Sequence, residues 1–177
     1  MASPGLRPNP SIERTCLLQA AHVKRGVMNN SEARASRWVR FLAARSEFPA
    51  GARFVAAFEA GRITHLCDCG CNSFEIAVPA DSSVEPLAIP GPPGSVFELE
   101  FRTCEETGSL QFSVLVGEDG HFSGLDVEYC GNALPVPEEV RLVEPPYHYR
   151  VSSALTPNPS IERTRPGKPG RASHVKR

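Results

Sequence analysis

Three cysteines alternate with other residues in the segment Cys67-Asp68-Cys69-Gly70-Cys71. Thiolates are nucleophiles and soft-metal ligands, so a group of three points first to metal chemistry. Alternate side chains of a strand share a face, so the three thiols can converge if the segment is extended. Zinc takes four nitrogen or sulfur ligands in a tetrahedron. The fourth ligand would then come from one of three further residues: His65, Cys104 or Cys130.

The one-residue spacing of these cysteines argues against a metal site. Structural zinc sites space their paired cysteines by two to four residues, because a turn must wrap the ion. An extended strand splays neighbouring ligands, and in this segment Gly70 offers the one bend. We therefore expect Cys67, Cys69 and Cys71 to behave as small apolar residues, with no cofactor. A zinc ion held by the three cysteines and His65 is the alternative, followed by thiol redox chemistry.

Acidic residues alternate along two segments that are predicted to be strands. Glu98 and Glu100 fall on one strand face, and Asp126 and Glu128 share a face of another. Paired carboxylates can perform acid–base catalysis, but charge alternation on a strand is more typical of a solvated sheet face. We expect Glu98, Glu100 and Glu128 to form an acidic face that contacts another protein.

A group of aromatic residues offers a different kind of site. Trp38, Phe41, Phe58 and Phe112 could line a ligand pocket between helices and sheet, although large aromatics on a helix stripe more often belong to the core. The chain contains no G-x-S-x-G, P-loop or G-x-G-x-x-G motif. The favoured function is therefore a small binding or protein-interaction module. The alternatives are a metal-binding domain and a small enzyme that uses this pocket.

Hydrophobic periodicity predicts the elements that would position these residues. Ser31 is a good N-cap for a first helix, and a second helix runs from Ala50 to Ala60. Strands are predicted at 63–71, 74–78, 97–102, 110–116 and 122–129, followed by a proline-rich surface tail at 131–150. This order predicts an α+β fold, with an N-terminal helical hairpin packed on one face of an antiparallel four- to five-stranded meander sheet.

The two ends of the chain carry copies of one sequence. The block PNPSIERT at 8–15 recurs at 157–164, and HVKR at 22–25 recurs at 174–177. Two distant copies do not make a solenoid, which needs about three or more adjacent units. The blocks resemble translated recombination sites that separate gene cassettes in bacterial integrons, and this implies laterally transferred cassette cargo. Terminal docking motifs are the alternative.

The repeats also set the expected domain limits. We expect residues 1–27 and 156–177 to be translated repeat without ordered structure, and residues 28–155 to form a single domain with Met28 as the native start. The chain has a formal charge of −1, but the two ends carry +3 and +5, which leaves −9 on residues 28–155.

This acidic balance bears on partners and compartment. The predicted domain lacks the basic patch of a nucleic-acid-binding protein, so no nucleic-acid partner is expected. No segment approaches the ~20 apolar residues of a membrane span, and the N-terminus lacks the apolar run of a secretory signal. We expect the protein to be located in the bacterial cytoplasm, where thiols stay reduced.

The predicted domain also resembles a family of small bacterial proteins without an assigned activity. The resemblance rests on Phe48-Pro49, on Cys69-Gly70-Cys71-Asn72-Ser73 before a strand, and on Glu118-Asp119-Gly120 before the last strand. It implies the same order of helices and strands, and it implies nothing about activity.

Overall fold

The structure, a computed structural model, describes residues 30–104 and 108–157. The expectations for residues 1–27, for Met28 as the start and for residues 158–177 lie outside the described residues. At the C-terminal end of the described chain, the Thr156 amide donates to the carbonyl of Leu87 at 2.9 Å. Leu155 forms a bridge with Ala88. The described chain is therefore held to the domain as far as Thr156.

The N-terminal helical hairpin forms as predicted. Helix α1 (Glu32–Ala43) begins after Ser31, whose hydroxyl accepts a backbone amide three residues further on. Helix α2 (Gly51–Ala60) follows after a short turn. A Cβ at Gly51 would lie 2.3 Å from the carbonyl oxygen of Ala43. The two helices therefore approach each other at a point where only glycine fits.

Six antiparallel strands form one sheet beside the helices. They are β1 (Arg62–Leu66), β2 (Phe74–Ala77), β3 (Gly94–Thr103), β4 (Ser109–Val116), β5 (Phe122–Tyr129) and β6 (Leu142–Val151). Their order in the sheet is β1-β2-β5-β4-β3-β6. The α+β class is as predicted, but the sheet has six strands rather than four to five. It is also not a simple meander, because β2 pairs with β5 and β6 pairs with β3.

Strand β6 occupies about half of the predicted surface tail, from Leu142 onward. His148 pairs with Glu100 and Val143 pairs with Arg102, so the ladder between β3 and β6 is interrupted at residues 144–147. Two prolines, Pro145 and Pro146, lie in this interruption. Proline cannot donate to a ladder but is tolerated at an edge strand. The proline-rich composition of this segment therefore led to the prediction of a surface tail where the structure has a strand.

Both helices pack on the same face of the sheet. The rings of Trp38 and Phe41 lie 5.0 and 5.7 Å from the ring of Phe112, and Phe54 lies 4.7 Å from Phe122. These contacts place α1 over β4 and α2 over β5, with a buried aromatic core between the layers. None of the described helices is long and apolar enough to cross a bilayer.

Candidate metal-binding site

The loop between β1 and β2 carries the three alternating cysteines. Strand β1 ends at Leu66, earlier than predicted, and the loop is closed by a hydrogen bond from the Cys67 amide to the Ser73 carbonyl at 3.0 Å. Gly70 has a φ of 80° and Asn72 has a φ of 69°. These two left-handed residues curl the chain back on itself, so the cysteines lie on a tight turn and not on a strand.

This turn brings the three thiols together. The Sγ atoms of Cys67, Cys69 and Cys71 all lie within 4.8 Å of one another, and those of Cys67 and Cys69 are 2.8 Å apart. Cys71 is buried, Cys67 is half-buried and Cys69 is exposed. Burial typical of a small core residue is therefore seen for Cys71 and not for Cys67 or Cys69.

Backbone amides donate to two of the sulfurs. The Cys71 amide donates to the Sγ of Cys69 at 3.4 Å, and the Ser73 amide donates to the Sγ of Cys71 at the same distance. The Cys71 thiol donates to the Ser73 hydroxyl at 3.2 Å, and that hydroxyl also accepts the Val127 amide at 2.9 Å. Donors aimed at sulfur stabilise a thiolate, and Ser73 also anchors the loop to β5.

The pKa values of Cys71 and Cys69 are shifted in opposite directions. Burial raises the pKa of Cys71, but hydrogen bonds from Cys69 and Ser73 outweigh burial and bring that pKa below the ordinary 9.0. Burial, together with hydrogen bonds to Cys67 and Cys71, raises the pKa of Cys69 to about 12. Of these two thiols, Cys71 therefore loses its proton first.

Contacts from distant parts of the chain hold this loop in place. The Asn30 side chain accepts the Asn72 amide at 2.8 Å and donates to the Cys67 carbonyl. The Val136 amide donates to the Gly70 carbonyl at 3.0 Å. The loop is thus braced from the start of α1 on one side and from the segment before β6 on the other.

The structure does not bring the predicted fourth ligand to the thiols. His65 is exposed on β1, where it pairs with Glu75. Among the described histidines, cysteines and acids, the three loop cysteines alone form a group that could hold a metal, so Cys104 and Cys130 also stand apart from it. Any fourth ligand would come from outside the described residues.

Three adjacent sulfurs of this kind can bind a soft metal ion, or two of them can form a disulfide when an oxidant is supplied. No known protein family, curated protein or solved structure matches this chain. A metal is the simpler occupant, since all three sulfurs contribute to it, whereas a disulfide engages two.

The predicted aromatic pocket is divided between two places. Phe112 is fully buried beneath α1 and lines neither of the two cavities that the other three residues line. Trp38 and Phe41 line a cavity of about 300 Å³ beside residues 138–140. Phe58 lines a separate cavity of about 370 Å³ beside β1. The four residues therefore do not form one site.

The predicted acidic face lies on the side of the sheet that the two helices leave uncovered. Glu98 pairs with Arg150 at 2.9 Å, and this hydrogen bond lowers the pKa of Glu98. Burial and a hydrogen bond with Glu100 raise the pKa of Tyr147 to about 12. Glu128 lies opposite Gln111 on the neighbouring strand. Two of the three carboxylates already have partners within the domain.

Sequence reasoning missed the residues that brace the loop and line the smaller cavity. Asn30 precedes the helix cap and reaches a loop about forty positions away, a long-range contact that local pattern does not encode. Arg34 reads as a surface residue of α1, yet it is buried, and its guanidinium donates to the carbonyls of Val136 and Pro137 at 3.2 and 3.0 Å. Its position on the apolar side of the α1 stripe was the available signal.

Proposed function

We propose that this domain binds a soft d¹⁰ metal ion, zinc(II) or copper(I), through the thiolates of Cys67, Cys69 and Cys71. The observation that carries the proposal is the convergence of three sulfurs within 4.8 Å on one short turn. An ion ~2.3 Å from each sulfur needs sulfurs about 3.8 Å apart in a tetrahedron. The pair at 2.8 Å would open on binding, which the exposure of Cys69 permits.

The protonation pattern supports stepwise metal capture. Metals bind thiolates, so binding must displace the thiol protons. Cys71 has a lowered pKa and a backbone donor on its sulfur, so it offers a thiolate more readily than Cys69 does. Cys69 keeps its proton until the metal displaces it, because its pKa lies at about 12. The proposal therefore includes proton release on binding and an affinity that increases with pH.

The number of ligands bears on the choice of metal. Three sulfurs can complete a trigonal copper(I) site, and soft thiolate ligands favour this ion. Zinc with three protein ligands keeps a fourth position for water or another molecule.

Both side-chain polar atoms of Asn72, which follows Cys71, are buried without a hydrogen-bond partner in the described chain. This amide supports a site where a further ligand hydrogen-bonds beside the sulfurs.

An interaction module built on the acidic face has less support. A carboxylate that is already paired must give up that partner before it can bind another protein, which offsets the gain. Glu98 and Glu100 are in this position, since Arg150 and Tyr147 contact them.

The test is a metal titration of the full reduced chain. Cobalt(II) is the spectroscopic probe for the zinc arm, because sulfur-to-cobalt charge transfer reports directly on thiolate coordination. Copper(I), delivered in competition with a chromogenic chelator, is the second arm. We expect the chain to bind one equivalent of metal and to show intense charge-transfer absorption with cobalt(II). The arm with the tighter binding then identifies the native ion as zinc(II) or copper(I).

Cysteine variants distinguish the site from general thiol binding. Cys130→Ser removes a half-buried thiol outside the cluster and should keep one equivalent. Cys71→Ser should lose most of the affinity, and the triple Cys67→Ser, Cys69→Ser, Cys71→Ser variant should bind no metal. Two results would overturn the proposal. One is stoichiometric metal binding by the triple variant. The other is binding of less than about a tenth of an equivalent by the wild-type chain in both the cobalt(II) arm and the copper(I) arm.

A further inference from the structure

A second candidate site is the cavity of about 300 Å³ that Trp38 and Phe41 line together with residues 138–140. This volume is at the lower end of the range of ~300–1,000 Å³ that is typical of small-molecule pockets. Two arginines, Arg34 and Arg37, complete its wall. The cavity thus combines flat apolar walls with cationic donors.

Two donors in this wall have no acceptor in the described part of the chain. They are the Nη1 atom of Arg34 and the Nε1 atom of Trp38, both of which are buried. Arg34 as a whole is 4% exposed, and its Nη2 atom is held by the carbonyls of Val136 and Pro137. The guanidinium is therefore fixed in orientation, with the N–H groups of its Nη1 atom left without an acceptor in the described residues. A buried donor without an acceptor is costly, and a ligand that supplies oxygen removes that cost.

The neighbouring Glu138 shows which group this wall attracts. Its carboxylate lies 2.7 Å from Arg37 Nη2 and 3.9 Å from Arg34 Nη1. The Glu138 side chain is 58% exposed, so it can swing away without leaving a hole in the core. At 3.9 Å it makes no hydrogen bond with Arg34. A free carboxylate that enters the cavity could come closer and reach both unpartnered donors.

We infer that this cavity binds a small molecule that carries a carboxylate on a flat aromatic ring. The carboxylate accepts from Arg34 Nη1 and Trp38 Nε1, in competition with Glu138. The ring packs against the indole of Trp38, which Phe112 and Phe41 hold in place at centroid distances of 5.0 and 5.9 Å. A carboxylate is preferred over a point-like anion because its two oxygens match two separated donors.

The sole tryptophan of the chain makes the test direct. Trp38 is the only tryptophan, so its fluorescence reports on this cavity. The probes are benzoate, followed by tryptophan emission in the full chain, and 4-fluorobenzoate, followed by ¹⁹F NMR. Benzyl alcohol is the neutral control of the same shape. We expect saturable quenching by benzoate, saturable broadening of the 4-fluorobenzoate signal, and at least about tenfold weaker binding of benzyl alcohol, since the charge-assisted hydrogen bonds are lost.

Two conservative variants separate the site from surface binding. Trp38→Phe keeps an aromatic ring but removes the N–H, and should weaken 4-fluorobenzoate about tenfold. Glu138→Gln removes the competing carboxylate and should tighten it. Glu85→Gln is the matched control, an exposed glutamate paired with Arg53 elsewhere on the surface, and should have no effect. Equal binding of benzoate and benzyl alcohol, or the same affinity in Glu138→Gln and Glu85→Gln, would overturn the inference, as would the absence of saturable binding.

Discussion

Replacement of Asn30 by alanine tests whether the thiol loop is held ready for a metal. The Asn30 side chain accepts the Asn72 amide at 2.8 Å and donates to the Cys67 carbonyl. Asn72 has a φ of 69°, a left-handed conformation that a residue other than glycine seldom adopts. The two hydrogen bonds therefore hold a strained turn whose curvature brings the sulfurs together.

The expected size of the effect follows from these contacts. Each hydrogen bond contributes about 1 kcal/mol net, so Asn30→Ala should lose about 2 kcal/mol of loop ordering. If all of this loss appears as opening of the loop, the equilibrium between converged and open loops shifts toward the open form by about thirtyfold. Metal affinity then weakens by up to about thirtyfold, because the ion binds only the converged form.

The measurement pairs chelator-competition titrations with urea unfolding, and Ser31→Ala is the matched control. Ser31 is the adjacent residue, and its hydroxyl caps α1 by accepting the Arg34 amide at 3.3 Å. Loss of this cap should cost about 1 kcal/mol of stability without touching the thiol loop. We expect both variants to unfold at lower urea concentration, and only Asn30→Ala to lose metal affinity.

Two results would refute this reasoning. If Asn30→Ala bound metal as tightly as the wild-type chain, the loop would not depend on the Asn30 bridge. If Ser31→Ala weakened binding as much as Asn30→Ala, the effect would come from loss of global stability. In either case, pre-organisation of the turn by Asn30 would no longer explain how the sulfurs are positioned.

Three further outcomes are expected from urea unfolding. The lowered pKa of Cys71 means that the folded state releases a proton before the unfolded chain does, so stability should rise from neutral pH toward 9.0. The raised pKa of Cys69, about 12, means that the folded state keeps its proton longer, so stability should fall above 9.0. A maximum near that pH should vanish in the Cys69→Ser, Cys71→Ser variant. Gly120→Ala places a Cβ 2.1 Å from a backbone carbonyl oxygen at a φ of +77°, and should cost about 3 kcal/mol or prevent folding. Arg45→Lys loses the two-point contact with Glu144 at 2.7 and 2.8 Å, and should cost about 1 kcal/mol, whereas an unchanged midpoint would show that this contact does not tie the loop after α1 to β6.

Local pattern was sufficient for the helices and for the central strands. The cap at Ser31 and the apolar stripe of α1 act within a few residues, so they can be read without tertiary information. Strands β3, β4 and β5 alternate buried and polar positions along most of their length, as expected for a sheet with one face covered by helices. The same alternation correctly predicted that Glu98, Glu100 and Glu128 lie on the polar side.

The sequence predicted which segment carries the candidate metal site but not the conformation of that segment. Three closely spaced cysteines drew attention to the right segment, but the predicted extended strand implied splayed thiols. The turn depends on left-handed conformations at Gly70 and at Asn72, and the second of these is held by Asn30 from outside the loop. Such a long-range contact is absent from any local pattern.

The sequence by itself determined the class of fold, the identity of the buried faces and the segment that carries the thiols, because each depends on periodicity or composition within a short window. The tertiary structure decided the rest. It placed β6 at the sheet edge, where Pro145 and Pro146 fall in a break in the ladder. It also joined the two sites: Val136 donates its amide to Gly70 of the thiol loop and offers its carbonyl to Arg34 of the cavity. The physical reason is that buried polar groups must find partners wherever the folded chain supplies them, and those partners are distant in sequence.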